Sequence, residues 1–268
     1  MTNPNATIRD QIRALYYSGN PELKQKALAV EKTLTAQGQD IGSLVAEEVL
    51  NAFITQDAAM LKLKARVIKV AHLDDACLIQ GPTGTGKSII AKALHGSRTG
   101  KFLQLNCTSL TDDLIASELF GHIKGSFTGA IVDKIGKLQA AAGGTLFLDE
   151  IGDMPMSMQT KLLKAIEEKV ITRVGDNEEI KISCRIIGAT NQSLDCLRND
   201  LYWRLSTFTF TISSLDTRLQ DVKLIAQSID AKFPVEEWLL RNGEEALKGN
   251  VRELITAIKR WKVYGELE

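Results

Sequence analysis

The sequence predicts an α/β protein: a parallel sheet flanked by helices, preceded by a helical extension and followed by a small helical unit. Three observations predict it. Short apolar runs alternate with helical patterns between residues 51 and 214. A glycine-rich segment lies between one of those runs and a helical stretch. The residues on either side of this region carry only helical periodicity.

The first region, residues 1–50, places Ile8, Ile12 and Leu15 at helix-like steps, then Leu34, Ile41, Leu44, Val45, Val49 and Leu50 after polar breaks. Gly19-Asn20-Pro21 and Gly38-Gln39-Asp40 read as turns between these helices. In the second region, 51–214, the strand candidates are 76–80, 102–106, 145–148 and 185–189, each ending in polar or glycine residues. Ligands of such sheets bind at the carboxyl ends of the strands, so the chemistry is expected there. The third region, 215–268, is helical again. Asn250 and Glu253 have capping-box spacing and open the apolar series Val251, Leu254, Ile255, Ile258.

The 268 residues are 44% apolar and 25% charged, with a formal net charge of zero. That composition is ordinary for a globular protein and argues against wrapping nucleic acid by bulk electrostatics. No apolar run reaches the length of a membrane span, and no signal peptide is legible. Cys77, Cys107, Cys184 and Cys196 form no CxxC pair, and the first three sit in strand-like apolar runs as small buried hydrophobes. His72, His95 and His122 lack ligand spacing, so no transition-metal site is expected. Unpaired cysteines imply a reducing compartment, most simply the cytoplasm.

Gly81-Pro82-Thr83-Gly84-Thr85-Gly86-Lys87-Ser88 follows an apolar strand and precedes a helical run, which is the context a phosphate-cradling loop requires. Its glycines let successive N–H groups point at phosphate oxygens, and the following helix adds its positive end. Lys87 would reach the β- and γ-phosphates and the Ser88 hydroxyl would ligate Mg²⁺. Downstream, Gly143-Gly144-Thr145-Leu146-Phe147-Leu148-Asp149-Glu150 places Asp149 at the end of a strand, where it can hold the Mg²⁺ water shell. Glu150, one residue on, can polarise an attacking water. Together the two motifs predict a nucleotide hydrolase using ATP and Mg²⁺.

Further segments carry a family resemblance. Glu118-Leu119-Phe120-Gly121-His122, then Gly125-Ser126-Phe127-Thr128-Gly129-Ala130, then residues 144–155 resemble the AAA+ ATPase domain of bacterial sigma-54-dependent transcription activators (enhancer-binding proteins). The likeness continues through Ala189-Thr190-Asn191, residues 197–205 and residues 249–254, and so covers about 57–258. The GSFTGA segment differs from the family's GAFTGA only at Ser126. The resemblance implies a ring, a hexamer in the family's manner, with ATP between subunits. It implies that Asn191 senses the γ-phosphate or attacking water, that Asn106 holds the catalytic glutamate until the γ-phosphate is sensed, and that Arg252 reaches the nucleotide from a helical lid. Arg198 and Arg204 match the two arginines used across the subunit interface. Six helical steps would set them roughly 120° apart, so one would touch the γ-phosphate and the other orient it or bond to neighbouring protein.

In the family, the loop containing Phe127 and Thr128 engages sigma-54 RNA polymerase. An exposed aromatic between glycines fits a moving contact surface, and a hairpin that packs Phe127 on its own domain is the plainer alternative. Several positions depart from the pattern: Ile123 replaces a commonly acidic residue, Ser213-Ser214-Leu215-Asp216-Thr217-Arg218 replaces a proline- and arginine-rich lead-in to the lid, and Leu247-Lys248-Gly249-Asn250 lacks a tryptophan-proline pair. No helix-turn-helix DNA-binding module is visible before Glu268, and no receiver domain before the ATPase region. The expectation is therefore a sigma-54-type ring ATPase; the alternative is an AAA+ remodeller or regulatory module acting on a different protein or nucleoprotein target.

Overall fold

The computed structural model describes residues 41–108, 111–265 and 267. The helical periodicity and turns expected before residue 41 lie outside the described residues. Helix α1 (Ile41–Leu50) and helix α2 (Ala58–Val70) come first, and the Asp57 side chain caps α2 by accepting from the N–H groups of Ala59 and Met60. Strand β1 (Cys77–Gln80) leads into helix α3 (Lys87–His95), followed by β2 (Phe102–Asn106) and helix α4 (Asp112–Phe120). A ribbon of β3 (Gly121–His122) and β4 (Lys134–Ile135) precedes the short helix α5 (Lys137–Ala140). Strand β5 (Thr145–Asp149), helix α6 (Met156–Glu168) and a second ribbon, β6 (Val170–Thr172) with β7 (Glu179–Lys181), come next. Strand β8 (Arg185–Thr190), helix α7 (Asn199–Leu205) and β9 (Phe208–Thr211) complete this part. Helices α8 (Leu219–Ile229), α9 (Val235–Asn242) and α10 (Asn250–Tyr264) follow. None of the described helices is long and apolar enough to cross a membrane.

The central sheet is parallel, in the order β2-β5-β8-β1-β9. Successive side chains of a strand point to opposite faces, and both faces here are covered. Leu146 and Leu148 pack with α4 to α7, whereas Phe147 packs on the other face with α1 to α3. The four expected strands form within one residue of their expected ends. The fifth, β9, lies outside the expected set: as an edge strand it alternates, with Phe210 buried and Thr211 exposed, and lacks a continuous apolar run. Helix α1 joins the sheet's own core through Ala46 and Leu50. A separate core of Leu215, Val222, Phe233, Trp238, Leu254 and Ile258 holds α8 to α10 together.

Asn250 departs from the expected capping box. Gly249 occupies the N-cap position, and Asn250 is the first residue of α10, in the left-handed region at φ 56° with no capping bond. Its side chain turns instead to the phosphate loop, where Nδ2 donates to the Thr83 carbonyl.

The end of the sheet away from the site is held by a buried charge. Arg185, 3% exposed, donates from Nε to the Asp75 carbonyl (2.9 Å), from Nη1 to those of Leu94 (2.6 Å) and Ala71 (3.2 Å), and from Nη2 to that of Val70 (3.2 Å). The Val70, Ala71 and Leu94 carbonyls close α2 and α3, whose dipoles favour a cation there, and Arg98 Nη1 shares two of them, donating to Ala71 (2.8 Å) and Leu94 (3.2 Å). Burial draws its pKa below the ordinary arginine value. Arg185→Met would remove four buried hydrogen bonds from a cation, although Arg98 still reaches the Ala71 and Leu94 carbonyls and the Leu73 N–H that of Val70, and it should lower stability by about 1.5–3 kcal/mol, seen as a lower urea midpoint at unchanged slope. A loss under about 1 kcal/mol would contradict this role.

Candidate functional site

The phosphate loop turns directly from β1 into α3. Gly84 (φ 80°) and Gly86 (φ 106°) take left-handed conformations, and a Cβ on Gly84 would lie 2.2 Å from the Gly249 carbonyl oxygen. Only glycine therefore allows the loop tip to meet the start of α10. Lys87 is 6% exposed and folds back over the loop, donating to the Gly81 carbonyl (2.9 Å) and to Glu150 Oε1 (3.1 Å). The Thr85 hydroxyl ties the loop to itself through the Pro82 carbonyl (2.8 Å).

The acidic pair ends β5, level with Asn106 on β2 and beside β8. Glu150 has φ 52° and ψ 51°, an uncommon conformation for a residue with a side chain. Its Oε2 accepts from the Asn191 backbone N–H (2.9 Å), and its Oε1 faces Lys87. Asp149 accepts from Gln104 Nε2 (3.2 Å). Burial first, and then the neighbouring Glu150 charge, hold its carboxyl above the usual aspartate value. The same surroundings push the Cys107 thiol up to about 12, which keeps it an inert packing residue.

The Asn191 amide group donates to Thr83 Oγ1 (3.0 Å). Asn106 is not joined to Glu150 by a hydrogen bond among the described residues; its Oδ1 accepts from the Thr108 N–H (2.9 Å), a local turn contact. The glutamate is held by Lys87 and Asn191 instead.

Between the loop and α10 lies a cleft of about 390 Å³, within the range of small-molecule sites. Thr83 to Ile89, Asp149 and Glu150 form one wall. Arg252, Val251 and Ile255 of α10 form another, with Phe53 and Arg218 at the apolar end. Arg218 is 1% exposed, pairs with Asp221 (3.0 Å) and stands 5.5 Å over the Phe53 ring. Ser88 and Asp149 line the same cleft and offer hard oxygen donors. A half-buried carboxylate whose charged form is disfavoured gains from a cation, so this donor set fits Mg²⁺, which binds through one or two protein oxygens and completes its shell with phosphate and water.

Arg198 and Arg204 do not line this cleft. The helical spacing expected between them does not hold: Arg198 precedes α7 in extended backbone (φ −58°, ψ 137°), so the 120° separation does not apply. Arg198 pairs with Asp200 (2.7 Å) and Arg204 with Glu167 (2.8 Å), both at the surface. Between them, Trp203 is 72% exposed, and no local pattern marks a single exposed tryptophan on a short helix.

The loop of Gly125, Ser126, Phe127, Thr128, Gly129 and Ala130 is a closed turn: the Gly125 N–H donates to the Ala130 carbonyl (2.8 Å) and the Ala130 N–H to that of Phe127 (3.0 Å). Phe127 is half-buried rather than fully exposed, edge-on to His122 at 5.0 Å, whereas Thr128 is exposed. The large apolar side chains on show are Ile131 (77%) and Val132, just after the loop. Ser126 Oγ is buried without a hydrogen-bond partner among the described residues.

Residues 53–211 match the sigma-54 interaction domain family. The chain is 37% identical over 266 residues to the transcriptional regulatory protein GlrR of Escherichia coli K12, covering 92% of this chain and 56% of that protein. It is 40% identical over 230 residues to the response regulator protein PilR of Pseudomonas aeruginosa, covering 78% and 52%. The chain thus spans about half the length of these curated relatives. Among solved structures, NtrX from Brucella abortus in complex with ADP superposes at a TM-score of 0.68 with 25% identity, covering 90% of this chain and 56% of that one. The chain belongs to the sigma-54 interaction domain family, and its fold is that of AAA+ P-loop NTPases.

The raised Asp149 pKa has a stability consequence. An acid whose pKa rises on folding binds protons more tightly when folded, so its contribution is present below the unfolded pKa and is lost as pH rises through the folded one. Asp149→Asn should therefore raise the Tm near pH 7.5 (about neutral) in metal-free buffer, and the gain should vanish below the ordinary aspartate value of 3.8. An unchanged or lower Tm near neutral pH would contradict the assignment.

Proposed function

We propose that this member of the sigma-54 interaction domain family is an ATP-hydrolysing motor, assembled as a ring and most simply a hexamer, that remodels sigma-54 RNA polymerase. The observation that carries the hydrolytic part is the convergence of Lys87, Glu150, Asn191 and Thr83 within hydrogen-bond reach of one another, at the phosphate loop. ATP would lie in the cleft with its phosphates on the loop N–H groups of residues 81–88, and its base toward the Phe53 and Arg218 end. Ser88 and Asp149 would hold Mg²⁺, which when bound neutralises charge on the phosphates.

Lys87 now spends its charge on Glu150; with phosphate at hand it turns to the β- and γ-oxygens, and the Glu150 carboxylate is released to take a proton from water. The water oxygen forms its bond to the γ-phosphorus as the bond to the β-phosphate oxygen breaks, giving ADP and phosphate. Asn191 would steer the water or the γ-phosphate, Asn106 would take over Glu150 between turnovers, and Arg252 would reach in from the lid.

Arg198 and Arg204 support shared sites, because they lie outside their own cleft and flank an exposed tryptophan. Aromatic and arginine side chains together are the composition of a buried interface. From a neighbouring subunit, one of them would stabilise the charge on the transferred phosphoryl group. The turn at 125–130 and exposed Thr128 would form the contact with sigma-54, Phe127 leaving His122 to do so.

Glu150→Gln should keep ATP binding and lower kcat by about a hundredfold or more; normal turnover would remove Glu150 from its role. Specific ATPase activity should rise with protein concentration and collapse in Arg204→Ala or Arg198→Ala; full activity from a monomer would sink the shared site. Sigma-54 should be captured in the presence of a transition-state mimic of the γ-phosphate and lost with Thr128→Ala. Failure of the unsubstituted chain to capture sigma-54 under every nucleotide condition would point to a remodeller with another target.

A further inference from the structure

We infer that Thr83 is a positioning residue that couples the helical lid to the catalytic glutamate, with Asn250 as its lid-side partner. The proposal rests on the ATPase reading above. A continuous line of hydrogen bonds supports it. The Leu215 N–H (2.7 Å) and the Ser214 hydroxyl (2.9 Å) both donate to Asn250 Oδ1. Asn250 Nδ2 then donates to the Thr83 carbonyl oxygen (3.0 Å). The other oxygen of Thr83, its hydroxyl, accepts from Asn191 Nδ2 (3.0 Å), and the Asn191 backbone N–H donates to Glu150 Oε2 (2.9 Å). Glu150 Oε1 closes the line on Lys87 (3.1 Å).

Thr83 is the junction because its two oxygens face two different parts of the protein. Its carbonyl belongs to the lid's contact and its hydroxyl to the sheet's. Two features make the junction stiff. Asn250 is 2% exposed and held at φ 56°, a conformation that an asparagine adopts at a cost and that its three side-chain bonds sustain. Next to Thr83, Gly84 has no room for a Cβ against the Gly249 carbonyl, so the loop tip and the lid are already in contact. A lid that swings must carry the tip of the phosphate loop with it. The Thr83 hydroxyl then moves against Asn191, and Asn191 sets where the Glu150 carboxylate sits. Lid angle, which nucleotide contacts on Arg252 would set, is in this way read at the group that activates water.

The motif pattern treats position 83 as variable, since neither phosphate contact nor metal ligation needs its side chain. The coupling instead requires a hydroxyl there, and this separates it from a packing role. Thr83→Val keeps the shape and the carbonyl but removes the acceptor. It should lower kcat about tenfold while ATP affinity stays within about threefold, and Thr83→Ser should restore at least half of the lost rate. Asn250→Gly tolerates the positive φ and deletes the amide. With no nucleotide present, hydrogen exchange of the Asn191 N–H should speed up in Asn250→Gly and in Thr83→Val, while β1 exchange is unchanged. The double variant should be no slower in turnover than the slower single one, within about twofold.

Unchanged kcat in Thr83→Val, equal loss in Thr83→Ser, or multiplied losses in the double variant would overturn the coupling. Unchanged Asn191 exchange would overturn it independently of turnover. Should the unsubstituted protein hydrolyse no ATP, the ATPase reading falls, and the exchange measurement still decides the coupling.

Discussion

Everything at the site depends on five strands running the same way. A parallel sheet has all its carboxyl ends on one edge, and the register aligns them: Asn106 with Asp149, Leu148 with Gly188, and Gln80 with Thr190. The residues immediately past these ends are Gly81, Glu150 and Asn191. They are far apart in the chain yet meet because these strands stop within about one residue of the same level. The opposite edge of the sheet carries no such requirement, and there Arg185 is used to close two helices.

The two arginines buried among the described residues show how charge is accommodated without water. Arg185 is surrounded by carbonyls, which solvate it with partial charges alone. Arg218 meets a full carboxylate: Asp221 takes one guanidinium bond, and also accepts from the Thr55 hydroxyl (2.6 Å) and the Gln56 N–H (2.8 Å). That carboxylate fastens α8 to the segment before α2, so the lid is anchored on both sides of the cleft, by Asp221 at the apolar end and by Asn250 at the phosphate end. Removing one member of such a pair leaves a buried charge unbalanced, which is more costly than never having had the pair. The Arg218–Asp221 pair is therefore a constraint on lid position as much as a contribution to stability.

The loop at 125–130 combines two tendencies. Its glycines at φ 82° and 102° have nothing near an added Cβ, so backbone conformation and not crowding requires them. Phe127 rests edge-on against His122, and His122 is in turn bonded to the Ser117 hydroxyl (2.8 Å). Ser126, where the resembling family has alanine, packs toward Gly175 and leaves its hydroxyl without a partner among the described residues, a cost of about 1 kcal/mol or more. The apolar surface on offer lies instead at Ile131 and Val132.

The sequence by itself determined the strands with continuous apolar runs, the loop at 81–88 and the acidic pair, because each has a local signature: burial on two faces, glycine where the backbone must curl, and carboxylates directly after a strand. It also placed Asn191 correctly after its strand. Only the tertiary structure decided where side chains without a local signature go. The β9 edge strand alternates too briefly to stand out. Asn250 has the spacing of a cap, yet its amide is drawn to Thr83, 167 residues away. Arg198 reads as helical by its neighbours but lies one residue outside the helix, and Asn106 turns to its own chain while Glu150 pairs with Lys87. Periodicity and motif spacing report a segment's regular pattern; Asn106 and Arg198 instead settle into bonds two residues along the chain, while β9 and Asn250 turn on contacts between distant segments, which exist only once the sheet has brought its strand ends together.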